Sequence, residues 1–344
     1  MNEASPAAAP VAQPEAEPAP AIEAVALCRS FGAFRAVSDL SFRVKRGEIV
    51  GFLGPNGAGK STTMRILSGL LPADSGTAHL CGVSVPAQPD LAKLRLGYMP
   101  ENNPLPEDLR VIEYLTWRAR IKDVPAARVR ERVEAVMEAC DLARTARRKL
   151  IGTLSKGFRQ RVCIADALLA EPEVVILDEP TIGLDPHQIL GIRDLIRSLR
   201  GKMAVLISSH ILAEIEQVCD RVIIINGGRI VAQGDKDTLR REFFPGRVFS
   251  VVCSAAPADV ARHLGEHEPS VVVTESGASA PAGLRALRVE LPESSPLGDV
   301  LLAKLSTLPD ARLREVSEER PSLEDIFVAS TRRSRDIVSA EIGV

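Results

Sequence analysis

One short segment carries the residue types that bind polyphosphates. Residues 54–61 read Gly-Pro-Asn-Gly-Ala-Gly-Lys-Ser, and the apolar run 49–53 leads directly into them. In this G-x-x-x-x-G-K-[ST] pattern, backbone N–H groups of a loop and of a helix start point at one anion. We expect Lys60 to reach the β- and γ-phosphates and the Ser61 hydroxyl to ligate Mg²⁺. The candidate phosphate-binding residues are Gly54, Pro55, Asn56, Gly57, Ala58, Gly59, Lys60, Ser61 and Thr62.

Two acidic residues end a second apolar run. The run 174–177 is followed by Asp178 and Glu179. Ligands bind at the carboxyl edge of open parallel sheets, so a buried strand here would deliver both carboxylates to a binding site. Asp178 is then placed to hold Mg²⁺ beside Ser61, and Glu179 to act as the general base that polarises an attacking water. The alternative is that two adjacent acids only end a strand and face solvent.

A histidine ends a third apolar run. Residues 205–210 read Val-Leu-Ile-Ser-Ser-His. His210 can hydrogen-bond a γ-phosphate or its attacking water, because an imidazole both donates and accepts hydrogen bonds near neutral pH. A structural histidine at a strand end is the alternative. We therefore treat Glu179 and His210 together as the candidate catalytic pair.

The pattern of elements predicts an α/β fold with a mainly parallel sheet. Strand-like runs at 24–28, 40–44 and 49–53 precede the loop, and others at 174–177, 204–207 and 221–225 alternate with helical patterns. Between about 98 and 170 the strand signals give way to helical ones, notably at 111–121 and 126–139, which predicts a helical insertion.

Beyond about residue 242 the pattern predicts a second, α+β domain. Strand signals at 247–253, 269–275, 284–291 and 311–317, with helical signals at 256–264 and 295–308, give the β-α-β-β-α-β order of a ferredoxin-like domain. The expected division is an Ala/Pro-rich disordered tail over 1–20, a nucleotide-binding domain over 21–240, the small domain over 245–332 and a tail over 333–344.

Composition restricts the classes of partner. The net charge is −2, which provides no electrostatic reason to expect nucleic acid. No stretch approaches the 18 apolar residues of a membrane span, and the N-terminus lacks the pattern of a signal peptide. The six cysteines are scattered without a C-x-x-C pair, as in reduced proteins of the cytosol. We therefore expect a cytoplasmic chain without membrane spans of its own.

The order of these motifs resembles the nucleotide-binding subunit of ABC transporters over about residues 22–238. Residues 153–161 read Thr-Leu-Ser-Lys-Gly-Phe-Arg-Gln-Arg and match the signature segment, and 183–186, Gly-Leu-Asp-Pro, match the D-loop. The resemblance implies a P-loop NTPase core with a mainly parallel sheet, an antiparallel β subdomain and a helical subdomain. It also implies hydrolysis of ATP with Mg²⁺.

The same resemblance implies that two subunits, identical or similar, pack head to tail around two ATP molecules. Ser155 and Gly157 of the signature would meet the γ-phosphate bound by the facing subunit, and Asp185 would organise the interface. Phe31 would stack on the adenine, with Phe34 as the rival candidate and core packing as the alternative for both.

Two segments depart from the family pattern. The usual signature is L-S-G-G-Q, whereas Lys156 and Phe158 stand here beside the matching Ser155 and Gly157. Glu101 stands where the family has glutamine, and a carboxylate there can still ligate Mg²⁺ or its water. These departures, and the segment 321–327, resemble the branch of gliding-motility and multidrug or antibiotic export ATPases.

The resemblance implies an ATPase subunit that energises export by a separate multi-spanning permease, on the cytoplasmic face of a bacterial inner membrane. The helical insertion would be the docking surface, because Glu101 links it to the Mg²⁺ site. The alternative is a soluble ABC ATPase that acts on nucleic acid or ribosomes, or that has a regulatory role.

Overall fold

The computed structural model of the protein describes residues 19–102, 104–277, 279–309 and 311–342, with side chains described up to residue 333. Residues 1–18 of the predicted N-terminal tail lie outside the described residues. Within the described ranges, none of the helices combines the length and the apolar character that crossing a bilayer requires.

The strands are β1 (Ile22–Phe31), β2 (Phe34–Val44), β3 (Ile49–Leu53), β4 (Ser75–Leu80), β5 (Val83–Ser84), β6 (Leu96–Met99), β7 (Val174–Asp178), β8 (Ala204–Ser209), β9 (Arg221–Asn226), β10 (Arg229–Gly234), β11 (Arg247–Cys253), β12 (Val272–Glu275), β13 (Arg285–Leu291) and β14 (Leu313–Glu319). The α-helices are α1 (Lys60–Leu67), α2 (Pro89–Leu94), α3 (Val111–Ile121), α4 (Val129–Ala139), α5 (Lys156–Leu168), α6 (Pro186–Arg197), α7 (Leu212–Val218), α8 (Lys236–Phe243), α9 (Pro257–Gly265), α10 (Leu297–Ser306) and α11 (Leu323–Ile342).

The central sheet has the strand order β10-β9-β3-β8-β7-β6. Five of these strands run parallel, and β10 pairs antiparallel with β9 at one edge. Strand β3 is buried at every position, because the sheet has a core on each face. Its side chains alternate between the two cores: Ile49 and Leu53 join one cluster, and Val50 and Phe52 join the other. The predicted mainly parallel sheet is confirmed.

An antiparallel sheet covers one face of the central sheet. Its strand order is β2-β1-β4-β5. The ring centroids of Phe42 on β2 and Phe52 on β3 lie 5.5 Å apart, so the two sheets meet through an aromatic contact. Helix α1 contributes Met64 and Leu67 to the same core cluster. This packing holds the loop between β3 and α1 in place.

The helices α3, α4 and α5 stand between β6 and β7 in the chain, where the sequence predicts a helical insertion. The predicted helix over 111–121 is confirmed. Asp166 of α5 accepts two hydrogen bonds from the Arg118 guanidinium of α3, at 2.9 and 3.0 Å. This bidentate pair is the strong form of an Arg–carboxylate contact, and it ties the helix that follows Ser155 to its neighbour.

The segment after α8 forms a separate α+β unit. Its elements follow the order β11-α9-β12-β13-α10-β14, and its antiparallel sheet has the strand order β12-β13-β11-β14. It has its own apolar cluster, which includes Phe249, Val289 and Leu301. The assignment of this unit to the ferredoxin-like class stays a prediction.

The last helix, α11, returns to the core beside the central sheet. Leu323 and Ile326 are buried in the same core cluster as Ile215 of α7 and Leu239 of α8. Arg333 lies over the ring of Phe243 on α8. Helix α11 therefore runs through the predicted boundary at 332/333, and its first turns complete the core that includes α7 and α8.

Candidate functional site

The loop from 54 to 59 connects the buried end of β3 to the first residue of α1. Gly57 and Gly59 have φ angles of 79° and 104°, in the left-handed region that favours glycine. A Cβ atom on Gly59 would lie 2.3 Å from the carbonyl oxygen of Ala36. Space is open beside Gly57, where a Cβ would have no atom within 4 Å. The sequence therefore folds into a tight loop with a free backbone surface at the helix start.

A cavity of about 430 Å³ opens over this loop. Its wall contains Glu101, Glu179, His210 and the loop residues from Asn56 to Thr62 other than Ala58. The structure thus brings together predicted residues that lie far apart in the sequence. The volume is within the range of small-molecule sites.

Lys60, the first residue of α1, is buried, with an exposed fraction of 7%. Its ammonium donates to the carbonyl oxygens of Gly54 at 2.8 Å and Pro55 at 3.4 Å. It also lies 3.7 Å from Oε1 of Glu179. The two carbonyls carry no formal charge and the carboxylate lies beyond hydrogen-bond distance, so the ammonium can bind a further anion in the cavity.

Asp178 is buried at the end of β7. Its Oδ1 accepts hydrogen bonds from the Ser208 hydroxyl and, at 3.4 Å, from the Ser61 hydroxyl. Burial raises the pKa of Asp178, while the two hydroxyls act in the opposite direction. A desolvated carboxylate beside a hydroxyl is a donor set that suits a hard cation.

The oxygen atoms of Ser61, Asp178 and Glu101 suit Mg²⁺, which binds substrate and water as well as protein. They suit less well a metal ion that is surrounded by protein side chains alone. Within the part of the chain that the structure describes, no three His, Cys, Asp or Glu side chains cluster closely enough to hold a metal ion. Mg²⁺ is usually bound through one or two carboxylates together with substrate phosphates and water. Ser61 and Asp178 supply such oxygens at the loop, and Glu101 lies in the same cavity wall.

Glu179 has an unusual backbone conformation, with a φ angle of 52°. Such strain persists only where neighbouring groups hold the residue in place. Its N–H donates to the carbonyl and hydroxyl oxygens of Ser208, at 3.2 and 2.9 Å. Its Oε2 lies 2.8 Å from Nδ1 of His210. The carboxylate therefore stands between Lys60 and His210 at the cavity.

The aromatic residue in the cavity wall is Phe34, not Phe31. The two residues pair at the end of the β1–β2 hairpin, but the Phe31 ring lies beneath the Arg29 guanidinium, 5.0 Å from its centroid. Phe34 is 58% exposed. Of the two candidates for adenine stacking, Phe34 therefore lines the cavity, and the assignment of the stacking ring stays a prediction.

The signature residues and the D-loop do not line this cavity. Ser155 is the N-cap of α5 and its hydroxyl accepts from the N–H of Phe158. Asp185 is the N-cap of α6 and accepts from Gln188 N–H at 3.0 Å. The Gln188 side chain also lies against Gly157, where a Cβ would be 2.4 Å from its Oε1. Within one chain, these two helix starts contact each other rather than the phosphate loop.

Sequence reasoning missed Ser208, although it contacts both acidic residues of the site. A signal was present, because Ser208 precedes His210 by two positions on a predicted strand. Side chains two apart on a strand point to the same face. The sequence alone could not predict that the strand of Ser208, β8, lies next to β7 in the sheet.

Comparison with known proteins identifies the family. The model of the family described as ABC transporter matches residues 37–182. A daunorubicin resistance ATP-binding protein of Streptomyces coeruleorubidus is 33% identical over 319 residues, which are 91% of this chain and 96% of that protein. A Nod factor export ATP-binding protein of Ralstonia nicotianae is 39% identical over 217 residues, which are 62% of this chain and 67% of that protein.

The solved structures agree with this result. One described as the ATP binding subunit of an ABC transporter is 34% identical, with a TM-score of 0.59, and the match covers 64% of this chain and 92% of that one. Residues of the phosphate loop line one cavity together with Glu179 and His210, and relatives match nearly the whole chain. The chain therefore belongs to the ATP-binding proteins of ABC transporters, and it is an ATPase of that family.

Proposed function

We propose that this chain energises export by a separate membrane-spanning permease, through ATP binding between two copies of the chain or a similar subunit. The observation that carries the proposal is the contact of Glu179 with both Lys60 and His210 in the cavity wall. The relatives that match the chain are described as daunorubicin resistance and Nod factor export proteins, which supports export as the purpose of hydrolysis.

Each copy contributes one half of each ATP site. In this arrangement, the cavity of one copy holds the phosphates, and the N-terminus of α5 in the facing copy meets the γ-phosphate. The positive end of that helix, with the Ser155 hydroxyl and the Gly157 N–H, favours an anion. Support comes from the position of Ser155 and Gly157 outside the cavity of their own chain, where Gly157 lies against the side chain of Gln188 on α6. No nucleic acid is needed as a partner.

Hydrolysis follows from the groups around Glu179. A water attacks the γ-phosphorus, and its proton passes to the Glu179 carboxylate as the new P–O bond forms. The bond between the γ-phosphorus and the bridging oxygen breaks, and its electron pair leaves with ADP. Lys60 neutralises charge on the phosphates, and His210 holds Oε2 of Glu179 in place through Nδ1. Mg²⁺, held by Ser61 and Asp178 with Glu101, would neutralise the β- and γ-phosphate oxygens when bound.

The permease would dock on the helical insertion, at an apolar groove of about 770 Å³. Its wall includes Leu105, Leu109, Tyr114 and Trp117, and it follows Glu101 in the chain. Trp117 is half exposed there. An exposed apolar patch of this kind is typical of protein interaction sites. Docking would place the chain on the cytoplasmic face of the inner membrane, and burial of Trp117, the chain's single tryptophan, would change its fluorescence.

The substitution Glu179→Gln tests the proposed hydrolysis. We expect the turnover of ATP to fall about 100-fold or more, because a general base contributes about 10²–10⁴ to the rate. ATP affinity should stay within about threefold, and a dimer should accumulate with ATP in gel filtration. Glu138→Gln, an exposed site on α4, is the control and should retain wild-type turnover. Unchanged turnover in Glu179→Gln would remove Glu179 from this role.

A further inference from the structure

A second hydrogen bond joins the two segments that carry Glu179 and His210. The Thr181 hydroxyl donates to Oε2 of Glu214, and the two residues are 4% and 8% exposed. Thr181 follows Glu179 by two residues, and Glu214 follows His210 by four, in the first turn of α7. The buried bond therefore joins the same two segments that Glu179 and His210 join at the cavity.

The two bonds differ in their exposure to water. The His210 side chain is 42% exposed, so its bond to Glu179 competes with solvent. The Thr181–Glu214 bond is shielded, and a hydrogen bond in a low-dielectric interior is electrostatically stronger. The buried pair can thus limit how far the two segments separate, while His210, the exposed partner in the other bond, remains free to meet a nucleotide.

The bond between Thr181 and Glu214 lies next to the strained backbone of Glu179 and can hold it in place. The left-handed φ of Glu179 must be held from both sides, since such conformations cost about 1–3 kcal/mol. On one side Ser208 binds its N–H. On the other side, after Pro180, the first side chain that is anchored is Thr181, through Glu214. Loss of that anchor would let the segment relax and move the carboxylate away from His210.

We propose that Glu214 is a positioning residue for hydrolysis: through Thr181 it holds Glu179 and His210 in hydrogen-bond contact. The proposal rests on the roles given to these two residues under Proposed function. A purely structural bond predicts a different behaviour, in which its loss lowers stability but leaves the contact between Glu179 and His210 intact. The two cases can be separated by observing His210 directly.

The variants are Thr181→Val and Glu214→Met, which remove the donor or the acceptor at similar side-chain volume. Glu214→Gln keeps an acceptor oxygen for Thr181 and serves as the conservative rescue. Glu216→Gln is the matched control, because Glu216 lies on the same helix and pairs instead with Lys236. All four variants are compared by thermal melting before any other measurement.

The decisive measurement is the imidazole NMR signal of His210 in the nucleotide-free protein with labelled histidine. The chain has five histidines, so His210→Ala assigns the signal. We expect Thr181→Val and Glu214→Met to shift it in the same direction as Glu179→Gln does, while Glu214→Gln and Glu216→Gln leave it in place. We also expect kcat to fall about tenfold in the first two, as for loss of one buried hydrogen bond, with KM for ATP within twofold.

The outcomes separate this inference from the proposed function. An unmoved His210 signal in folded Thr181→Val overturns the positioning role, whatever the turnover. A moved signal with kcat unchanged in both Thr181→Val and Glu214→Met overturns it as well. Should Glu179→Gln itself retain full turnover, the proposed function is wrong, yet the His210 signal still decides whether Glu214 holds the contact.

Discussion

The ammonium of Lys60 lies 3.7 Å from Oε1 of Glu179, and both side chains are only 7% exposed. The phosphate-binding cation and the proposed base are therefore in electrostatic contact before any nucleotide is bound. Phosphates that attract Lys60 would weaken its pull on Glu179, because the cation then has a stronger partner. A phosphate bound by Lys60 would therefore lie near the carboxylate that we propose as the base.

Replacement of Lys60 by methionine tests the phosphate loop. Lys60→Met keeps the length of the side chain but removes the charge that the phosphates would meet. We expect ATP to bind about 30-fold more weakly, as for loss of about 2 kcal/mol from a hydrogen bond to a charged group. Titration calorimetry measures the affinity, and Lys202→Met, at an exposed site, is the control. Equal affinities for the wild-type protein and Lys60→Met would contradict the assignment.

Phe34 is expected to stack on the adenine ring. Phe34→Ala should weaken ATP binding by about 1–3 kcal/mol, the contribution of one aromatic stacking contact, or about 5- to 160-fold. Phe31→Ala is the matched control, since Phe31 contacts Arg29 instead of the cavity. Affinity for inorganic triphosphate, which has no base, should not change in either variant. A greater loss in Phe31→Ala than in Phe34→Ala would reverse the assignment.

Helix α11 is expected to stabilise the nucleotide-binding domain. Ile326 is fully buried in the core shared with α7 and α8. Ile326→Ala should lower the free energy of unfolding by about 2–5 kcal/mol, because it leaves a cavity in a packed core. Val328→Ala, at a position that is 40% exposed, should cost less than about 0.5 kcal/mol. Urea unfolding followed by circular dichroism compares them, and equal midpoints would show that α11 adds nothing to this core.

Glu173 should make the free energy of unfolding depend on pH. The hydrogen bond from Arg46 holds the pKa of the Glu173 carboxyl below its ordinary value, against the effect of burial and with help from Arg95. The lowered pKa in the folded state means that the stabilisation is complete above the unfolded value, about pH 4.3. It is lost as the pH falls through the folded value, because protonation then favours the unfolded chain.

The substitution Glu173→Gln therefore tests the contacts of Glu173 with Arg46 and Arg95. At pH 7 we expect a loss of about 0.5–1 kcal/mol in the free energy of unfolding, since solvent screens the pair. Between pH 5 and pH 3.5 the wild-type protein should lose stability faster than the variant, so that their urea midpoints approach each other. A gap that is constant over this range would mean that the charge of Glu173 does not contribute.

The sequence by itself determined those parts of the site that are formed by residues close together in the chain. The phosphate loop needs glycines at fixed spacing, and the acidic pair and His210 each need only an apolar run before them. Alternation of strands and helices predicted the parallel sheet, because burial on both faces demands continuous apolar runs.

Tertiary structure decided the contacts between distant segments. The place of Phe34 in the cavity wall depends on how the hairpin ends, and the bonds of Ser208 depend on which strand lies beside β7. The pairing of Thr181 with Glu214, and the return of Ile326 to the core beneath α7, join residues that no local pattern connects. Such contacts are selected by packing of the whole chain, since each residue's local sequence is compatible with several partners.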